Sequence, residues 1–253
     1  MFRDALGARL IPPEPHFRWR GGEITRLEAF TDAVFAFAVT LLVVSLEVPR
    51  TFTELLATMK GFVAFGVCFA MLTWVWYCHY LFARRFGLQT VYVISLNLLL
   101  LFVVLFYVYP LKFLFTLSVG ELAGTVPRAL LEGMINPGQV PQLFVVYCLG
   151  YVAVFAILGF LNLYALQLRE PLGLDEYETL ATRHAVRTLF SYASVGVLVM
   201  VVALLLPPSV AGLAGVLFFL NGVIGWVLGM HFQRRSQRIL AQRADQATMG
   251  ARR

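Results

Sequence analysis

The sequence of 253 residues has few charged side chains. Asp, Glu, Lys and Arg make up 13% of it, which is about half their share in a soluble domain. Cysteine is also scarce: three residues without a Cys-x-x-Cys pair exclude a disulfide scaffold. The four His and three Cys lack the spacing of a metal site, and neither Gly-x-Ser-x-Gly nor His-Glu-x-x-His occurs. We therefore expect no enzyme, no cofactor and no bound metal.

Apolar residues, by contrast, make up 60% of the sequence, with 22 Phe among them. One soluble domain of this size cannot bury so much apolar surface. Six stretches are long enough to cross a bilayer, and they are apolar on all sides rather than alternating, which favours helices over a β-barrel. The sequence predicts an all-α polytopic membrane protein with six transmembrane helices per chain, at about Arg26–Val48, Leu55–Phe82, Leu88–Leu117, Leu143–Leu168, Val186–Leu206 and Val210–Phe232.

Lys and Arg are distributed unequally between the two sides of the six predicted spans. Sixteen lie on the side of the N-terminus and four on the other side. The positive-inside rule therefore places both termini in the cytoplasm, with a basic N-terminus at 1–25, a transmembrane domain at 26–232 and a basic tail at 233–253. The same distribution explains the net charge of +6 by contact with membrane lipid, without nucleic acid.

Ionisable residues cluster where the first two predicted spans meet the cytoplasmic side. Asp32 lies about 9 Å along the helix axis from Arg26, and a carboxylate at that depth requires a partner. The candidate partners are Arg26 and His79. Trp76 shares one helix face with His79, and Asn97 adds an amide from the third span. We expect these residues, together with Phe30 and Thr31, to form a structural polar network.

The run Arg26-x-x-x-Phe30-Thr31-Asp32 resembles the Arg-x-x-x-Phe-Ser-Asp signature of a known family. This is the bacterial branch of the endolysosomal potassium channels, the transmembrane protein 175 family. The resemblance continues along the first span and returns at Trp76-x-x-His79 and at Asn97. It is dense over residues 24–115 and specific there, whereas only the number of spans and the basic tail agree beyond them.

The resemblance implies a homotetramer whose first helices line a central potassium-selective pore with a hydrophobic constriction. The Thr-Val-Gly-Tyr-Gly filter of other potassium channels is absent from the family and from this sequence. Two residues depart from the family pattern. Thr31 replaces the family's Ser but keeps the hydroxyl, whereas Phe37 stands where the family has a branched aliphatic residue, so the properties of the pore are expected to differ.

A helical projection of the first span agrees with a pore-lining role. At about 100° per residue, one stripe carries Arg26, Phe30, Ala33, Phe37, Thr40, Leu41 and Val44. Asp32 falls outside this stripe, toward neighbouring helices. The same stripe would also suit the core of a helix bundle, and the family resemblance favours the pore. We expect four of these residues to line the pore: Phe37, Thr40, Leu41 and Val44. The constriction is expected at Phe37; the alternative places Phe37 between helices and the constriction at Leu41 or Val44.

These observations predict a potassium-preferring cation channel of the cell membrane. The alternative function is a secondary transporter or another solute carrier. Transporters usually carry inverted repeats and broken helices at the membrane midplane, and no paired Gly or Pro interruptions mark two corresponding halves here. A membrane scaffold without transport is a third possibility.

Overall fold

The computed structural model describes residues 16–44, 50–52, 55–56, 59, 62–122 and 133–251. Six α-helices lie in these ranges, and no strand occurs among the described residues. The helices are α1 (Arg26–Val44), α2 (Phe62–Phe86), α3 (Val91–Leu122), α4 (Val140–Gln167), α5 (Glu176–Leu205) and α6 (Leu220–Ala251). Short 3-10 helices precede α4 at Pro137–Gln139 and α6 at Ala211–Phe219. The predicted all-α class with six helices is confirmed.

Five of these helical segments are long and apolar enough to cross a membrane. They correspond to the second through sixth predicted spans. The first helix, α1, has 19 residues and carries Arg26, Glu28 and Asp32 within its first seven. Its predicted end at Val48 lies outside the described residues. That α1 also crosses the membrane stays a prediction.

Helix ends differ from the predicted spans where polar residues extend a helix beyond its apolar part. The fifth helix begins at Glu176, ten residues before the predicted Val186, because Asp175 starts it with a capping box. The sixth helix runs without a break from Leu220 to Ala251, across the predicted boundary between the transmembrane domain and the tail. A hydropathy window finds the apolar segment but not the whole helix.

The six helices pack as two groups of three. In the described part of the chain, α1 contacts only α2 and α3, while α5 contacts α4 and α6. The helix pair with the most extensive contact is α4 with α5, and α4 also joins the groups by packing on α2 and α3. The apolar core runs through both groups, from Phe35 and Leu42 to Leu158 and Val199. The first helix therefore lies at the edge of the bundle, with one face that the described part of the chain leaves uncovered.

Candidate ion pathway along the first helix

The segment before α1 fixes the position where that helix begins. The backbone amides of Arg20 and Gly21 both donate to the carbonyl of Arg84, near the end of α2. The side chain of Arg84 donates in return to the carbonyl of Gly22, at 3.0 Å. These bonds satisfy groups that a helix end leaves unpaired and attach the chain entering α1 to α2.

A capping box starts α1. The hydroxyl of Thr25 accepts a hydrogen bond from the amide of Glu28 at 3.1 Å, and the Glu28 carboxylate accepts one from the amide of Thr25 at 3.3 Å. The Thr-x-x-Glu spacing in the sequence is the signal for this motif. Glu28 therefore has a local structural role at the start of the helix.

Two faces of α1 differ in burial. Thr31, Phe35, Ala38 and Leu42 are buried at helical spacing against α2 and α3. Thr31 is fully buried, and its hydroxyl donates to the carbonyl of Leu27 at 2.8 Å. The opposite face is not covered by any of the described residues. Its exposed members on the predicted stripe are Arg26, Phe30, Ala33, Phe37 and Thr40.

The four predicted pore residues do not share one environment. The side chain of Phe37 is 56% exposed. Thr40 is exposed as well, and its hydroxyl donates to the carbonyl of Ala36 at 2.9 Å. Leu41 is half-buried and packs against the apolar core. Val44 ends α1, and its side chain lies outside the described residues.

Asp32 is held by Trp76. The indole nitrogen Nε1 of Trp76 donates to Oδ1 of Asp32 at 2.8 Å, which joins α1 to α2. The Trp76 ring stacks on that of Tyr80 one turn further along α2. Sequence reasoning placed Trp76 and Asp32 in one network but did not pair them. Arg26 forms no hydrogen bond or ion pair within the described part of the chain.

His79 and Asn97 lie deeper in the subunit, under the start of α1. Each is 2% exposed, and both line a small cavity that also touches Thr25 and Glu28. Among the described residues, Nε2 of His79 and Oδ1 of Asn97 have no hydrogen-bond partner. The structure therefore brings His79 and Asn97 together on α2 and α3, whereas Asp32 bonds to Trp76.

Sequence reasoning missed two polar contacts that position α1. Arg20 forms a buried ion pair with Glu178 at the start of α5, at 2.6 Å. Lys112 on α3 donates to the carbonyl of Leu42 at 3.3 Å, near the end of α1, where a helix favours a positive charge. The capping-box spacing of Asp175 and Glu178 could have located the first partner. No sequence pattern connects Lys112 with Leu42.

The described residues offer no metal site. No cluster of three or more His, Cys, Asp or Glu residues able to hold a metal occurs among the described residues. The three cysteines are free, and two of them are buried.

Comparison with known proteins links the chain to one family. Residues 26–107, from α1 into α3, match the family described as endosomal/lysosomal potassium channel TMEM175. A potassium channel of Marivirga tractuosa is 37% identical over 233 residues, which cover 89% of this chain and 94% of the relative.

Two solved structures have the same fold. The crystal structure of the T38A variant of the potassium channel MtTMEM175, in complex with a nanobody fusion protein, has a TM-score of 0.75 and 35% identity. That match covers 87% of this chain and 98% of the other. A lysosomal potassium-selective channel TMEM175 homolog from Chamaesiphon minutus, at 22% identity and a TM-score of 0.51 over 83% of this chain and 96% of the other, agrees in fold. These relatives are ion channels and not enzymes, and this chain belongs to the TMEM175 potassium channel family.

Proposed function

We propose that four copies of this chain form a potassium channel in the cell membrane, with the uncovered face of α1 from each copy lining a central pore. The observation that carries the proposal is the two-faced character of α1. One face anchors the helix in its own subunit, and the other is free to meet the same face of other copies. Closed cyclic symmetry is the common arrangement of identical subunits, and one helix cannot enclose a pore.

The constriction is assigned to Phe37. This side chain lies on the uncovered face, while Leu41, one turn further on, packs toward the core of its own subunit. Four phenyl rings around one axis form a narrow, dry passage, which opposes ions because a cation loses hydration there without gaining ligands. The ring faces attract a cation only weakly. We expect a low open probability and a weaker potassium preference than an aliphatic ring gives.

Thr40 supplies oxygen next to that constriction. Its hydroxyl proton is used in the bond to Ala36, and the oxygen keeps lone pairs that can face a cation. Thr40 lies three residues beyond Phe37, on the same uncovered face. A potassium ion passing the phenyl rings would therefore meet a ring of hydroxyl oxygens within one helical turn.

The polar network is assigned a structural role. The bond from Trp76 to Asp32 and the buried positions of Thr31, His79 and Asn97 fix the orientation of α1, so that Phe30 and Phe37 keep to the uncovered face. Asp32 then sets the rotation of the helix without itself lining the pore.

The proposed orientation places both termini in the cytoplasm. Three contacts at one end of the bundle support it: Arg20 with Glu178, Arg84 with Gly22, and Arg243 with Asp175. They bring four segments of the predicted cytoplasmic side together. Cysteine introduced at Gln242 tests the orientation, because labelling by an impermeant reagent outside intact cells would contradict it.

Bilayer recording in asymmetric potassium and sodium tests the function. Unitary currents whose reversal potential is shifted toward the potassium equilibrium potential are expected, from a protein whose mass in detergent is that of a tetramer. A stable monomer that conducts would refute the central pore. Comparison of Phe37→Ala with Leu41→Ala locates the constriction: if only Leu41→Ala increases the current, the constriction lies one turn further along α1.

A further inference from the structure

An open groove of about 840 Å³ lies between the first turns of α5, the far part of α6 and the 169–175 loop that precedes α5. Its volume is within the range of small-molecule binding sites. Four arginines line it: Arg169, Arg183, Arg235 and Arg238. No residue of α1 lines it, and nothing in the proposed conduction mechanism uses it.

The two helices present these arginines to the same space. Arg235 and Arg238 are three residues apart, on one face of α6, and Ile239 anchors that part of the helix by burial. Arg183 faces them from α5, one turn beyond Thr179. Because α5 and α6 pack directly on each other, the walls of the groove have defined positions.

One of the three acidic residues that line the groove, Asp175, is held in an ion pair. Asp175 accepts hydrogen bonds from Arg243 at 2.9 Å and from the amide of Glu178 at 2.8 Å. Partial burial raises the pKa of Asp175, but these bonds outweigh it and hold the pKa below its ordinary value, so the carboxylate stays ionised and paired. Glu170 lies 3.8 Å from Arg169.

The guanidinium groups of three arginines in the groove are available to a ligand. Arg183, Arg235 and Arg238 form no hydrogen bond or ion pair with any residue that the structure describes. Three exposed carboxylates also line the groove, those of Glu170, Asp175 and Glu176. Because Asp175 is paired with Arg243 from outside the lining, four arginines share the groove with two remaining carboxylates. The groove therefore has an excess of positive charge, carried by side chains whose planar forks suit phosphate oxygens.

The groove lies where the predicted spans end. Arg183 is three residues before the fifth span, and Arg235 and Arg238 follow the sixth span within two turns. We propose that the groove is a binding site for a phosphate group, carried either by an anionic lipid of the cytoplasmic leaflet or by a soluble phosphate of the cytosol. The proposal rests on the proposed orientation of the chain, and it is independent of ion conduction.

A general attraction of basic residues to the membrane surface is the competing explanation. The chain offers a matched control, because Arg187 and Arg234 lie on the same two helices, four and one residues away, but outside the groove. The double variant Arg183→Gln/Arg235→Gln removes two charges from the groove. The variant Arg187→Gln/Arg234→Gln removes the same number from the same helices.

Thermal unfolding of the full chain in detergent tests the proposal with two probes. Cardiolipin, compared with phosphatidylcholine, represents the lipid source, and inorganic pyrophosphate, compared with sodium chloride at equal ionic strength, represents the soluble source. We expect one probe to raise the Tm of the wild type and of the control double variant equally, and the groove double variant to lose at least half of that shift. The responding probe identifies the source of the phosphate.

Two outcomes would overturn the proposal. In one, neither probe raises the Tm of the wild type. In the other, both double variants lose the shift equally, which indicates a diffuse charge effect. The variant Arg183→Lys/Arg235→Lys keeps both charges without the forks, so a smaller shift than in the wild type is expected, while an unchanged shift would also contradict the site. None of these measurements requires current, so they can fail while the channel function stands.

Discussion

The helices α1 and α4 show how differently one chain can cover its own surface. The fourth helix packs on α2, α3 and α5 and buries twelve of its residues. The first helix packs on α2 and α3 and leaves Phe30, Phe37 and Thr40 uncovered. Both are mainly apolar, so hydrophobicity alone does not distinguish them. The difference indicates that α4 supports the subunit, while α1 presents a surface to something outside it.

The polar contacts around α4 and α1 differ in the same way as the burial of the two helices. Around α4 they form bonds within the core, such as that from the hydroxyl of Tyr107 to the carbonyl of Tyr147 at 2.6 Å. Around α1 they lie at its start and on its sides, where Thr25 caps it and Trp76 holds Asp32. Substitutions in the group α4–α6 are therefore expected to change stability, and those on the uncovered face of α1 to change conduction.

The largest loss of stability is expected when the ion pair between Arg20 and Glu178 is broken, because this pair joins the segment before α1 to the start of α5. Arg20→Ala leaves Glu178, which is 2% exposed, without its guanidinium partner. Loss of one member of a buried ion pair costs about 3–5 kcal/mol, so the Tm in detergent should fall strongly. Arg18→Ala is the control, because only the backbone amide of Arg18 contacts Glu178. Equal loss in both variants would contradict a specific ion pair.

Next in size is the loss of stability from overpacking where α4 of the second group meets α3 of the first. A Cβ atom at Gly150 on α4 would overlap the ring of Tyr107, whereas at Gly66 on α2 it would meet nothing within 4 Å. Overpacking costs about 1–3 kcal/mol, and the direct overlap places Gly150→Ala at the upper end. Gly66→Ala should be neutral or slightly stabilising. If the two variants unfold at the same temperature, α4 is less tightly packed than described.

A smaller effect is expected at the anchor of α1. Asp32→Ala removes the acceptor of the Trp76 indole, and a hydrogen bond to a charged group contributes about 1.5–3 kcal/mol. We expect the lower end of this range, because the site is exposed in the isolated chain. The fraction of tetramer should fall while the ratio of potassium to sodium permeability is unchanged, and Asp32→Asn, which keeps the oxygen, should assemble. A changed ion ratio with normal assembly would assign Asp32 to the pore.

The smallest effect concerns the contact of the α6 tail with the start of α5. Asp175→Asn keeps a helix cap but loses the ion pair with Arg243, which is partly exposed and contributes less than about 1 kcal/mol. Since the fold lowers the pKa of Asp175, this stabilisation is present above the ordinary carboxyl pKa of about 4 and is lost as pH falls through the lower folded value. The Tm of Asp175→Asn should therefore lie furthest below that of the wild type at pH 7, and the two Tm values should become equal in strong acid.

The class of fold and the family could both be predicted from the sequence. Long apolar stretches predicted the six helices, and the run from Arg26 to Asp32 with Trp76 and His79 indicated the family. These properties depend on local composition or on short motifs, which a single sequence displays directly. The helical projection also placed Phe37 and Thr40 on one stripe, and both lie on the uncovered face of α1.

Contacts between distant segments were not predictable in the same way. Arg20 and Glu178 are 158 residues apart, and only the packing of α5 beside the N-terminal segment brings them together. Projection placed Leu41 on the stripe with Phe37, but Leu41 packs against the apolar core of its own subunit. The choice of Trp76 as the partner of Asp32 likewise depends on the relative rotation of two helices.

Two phenylalanines on opposite faces of α1 give the most direct test that its uncovered face lines the pore. Phe37 is 56% exposed and Phe35 is 3% exposed, two residues away. In bilayers with asymmetric potassium and sodium, Phe37→Ala should increase the current and shift the reversal potential. Phe35→Ala should lower the Tm, by a cost of about 3–5 kcal/mol for a buried phenyl ring, and keep the wild-type reversal potential. A shifted reversal potential in Phe35→Ala, with Phe37→Ala conducting as the wild type does, would contradict the account.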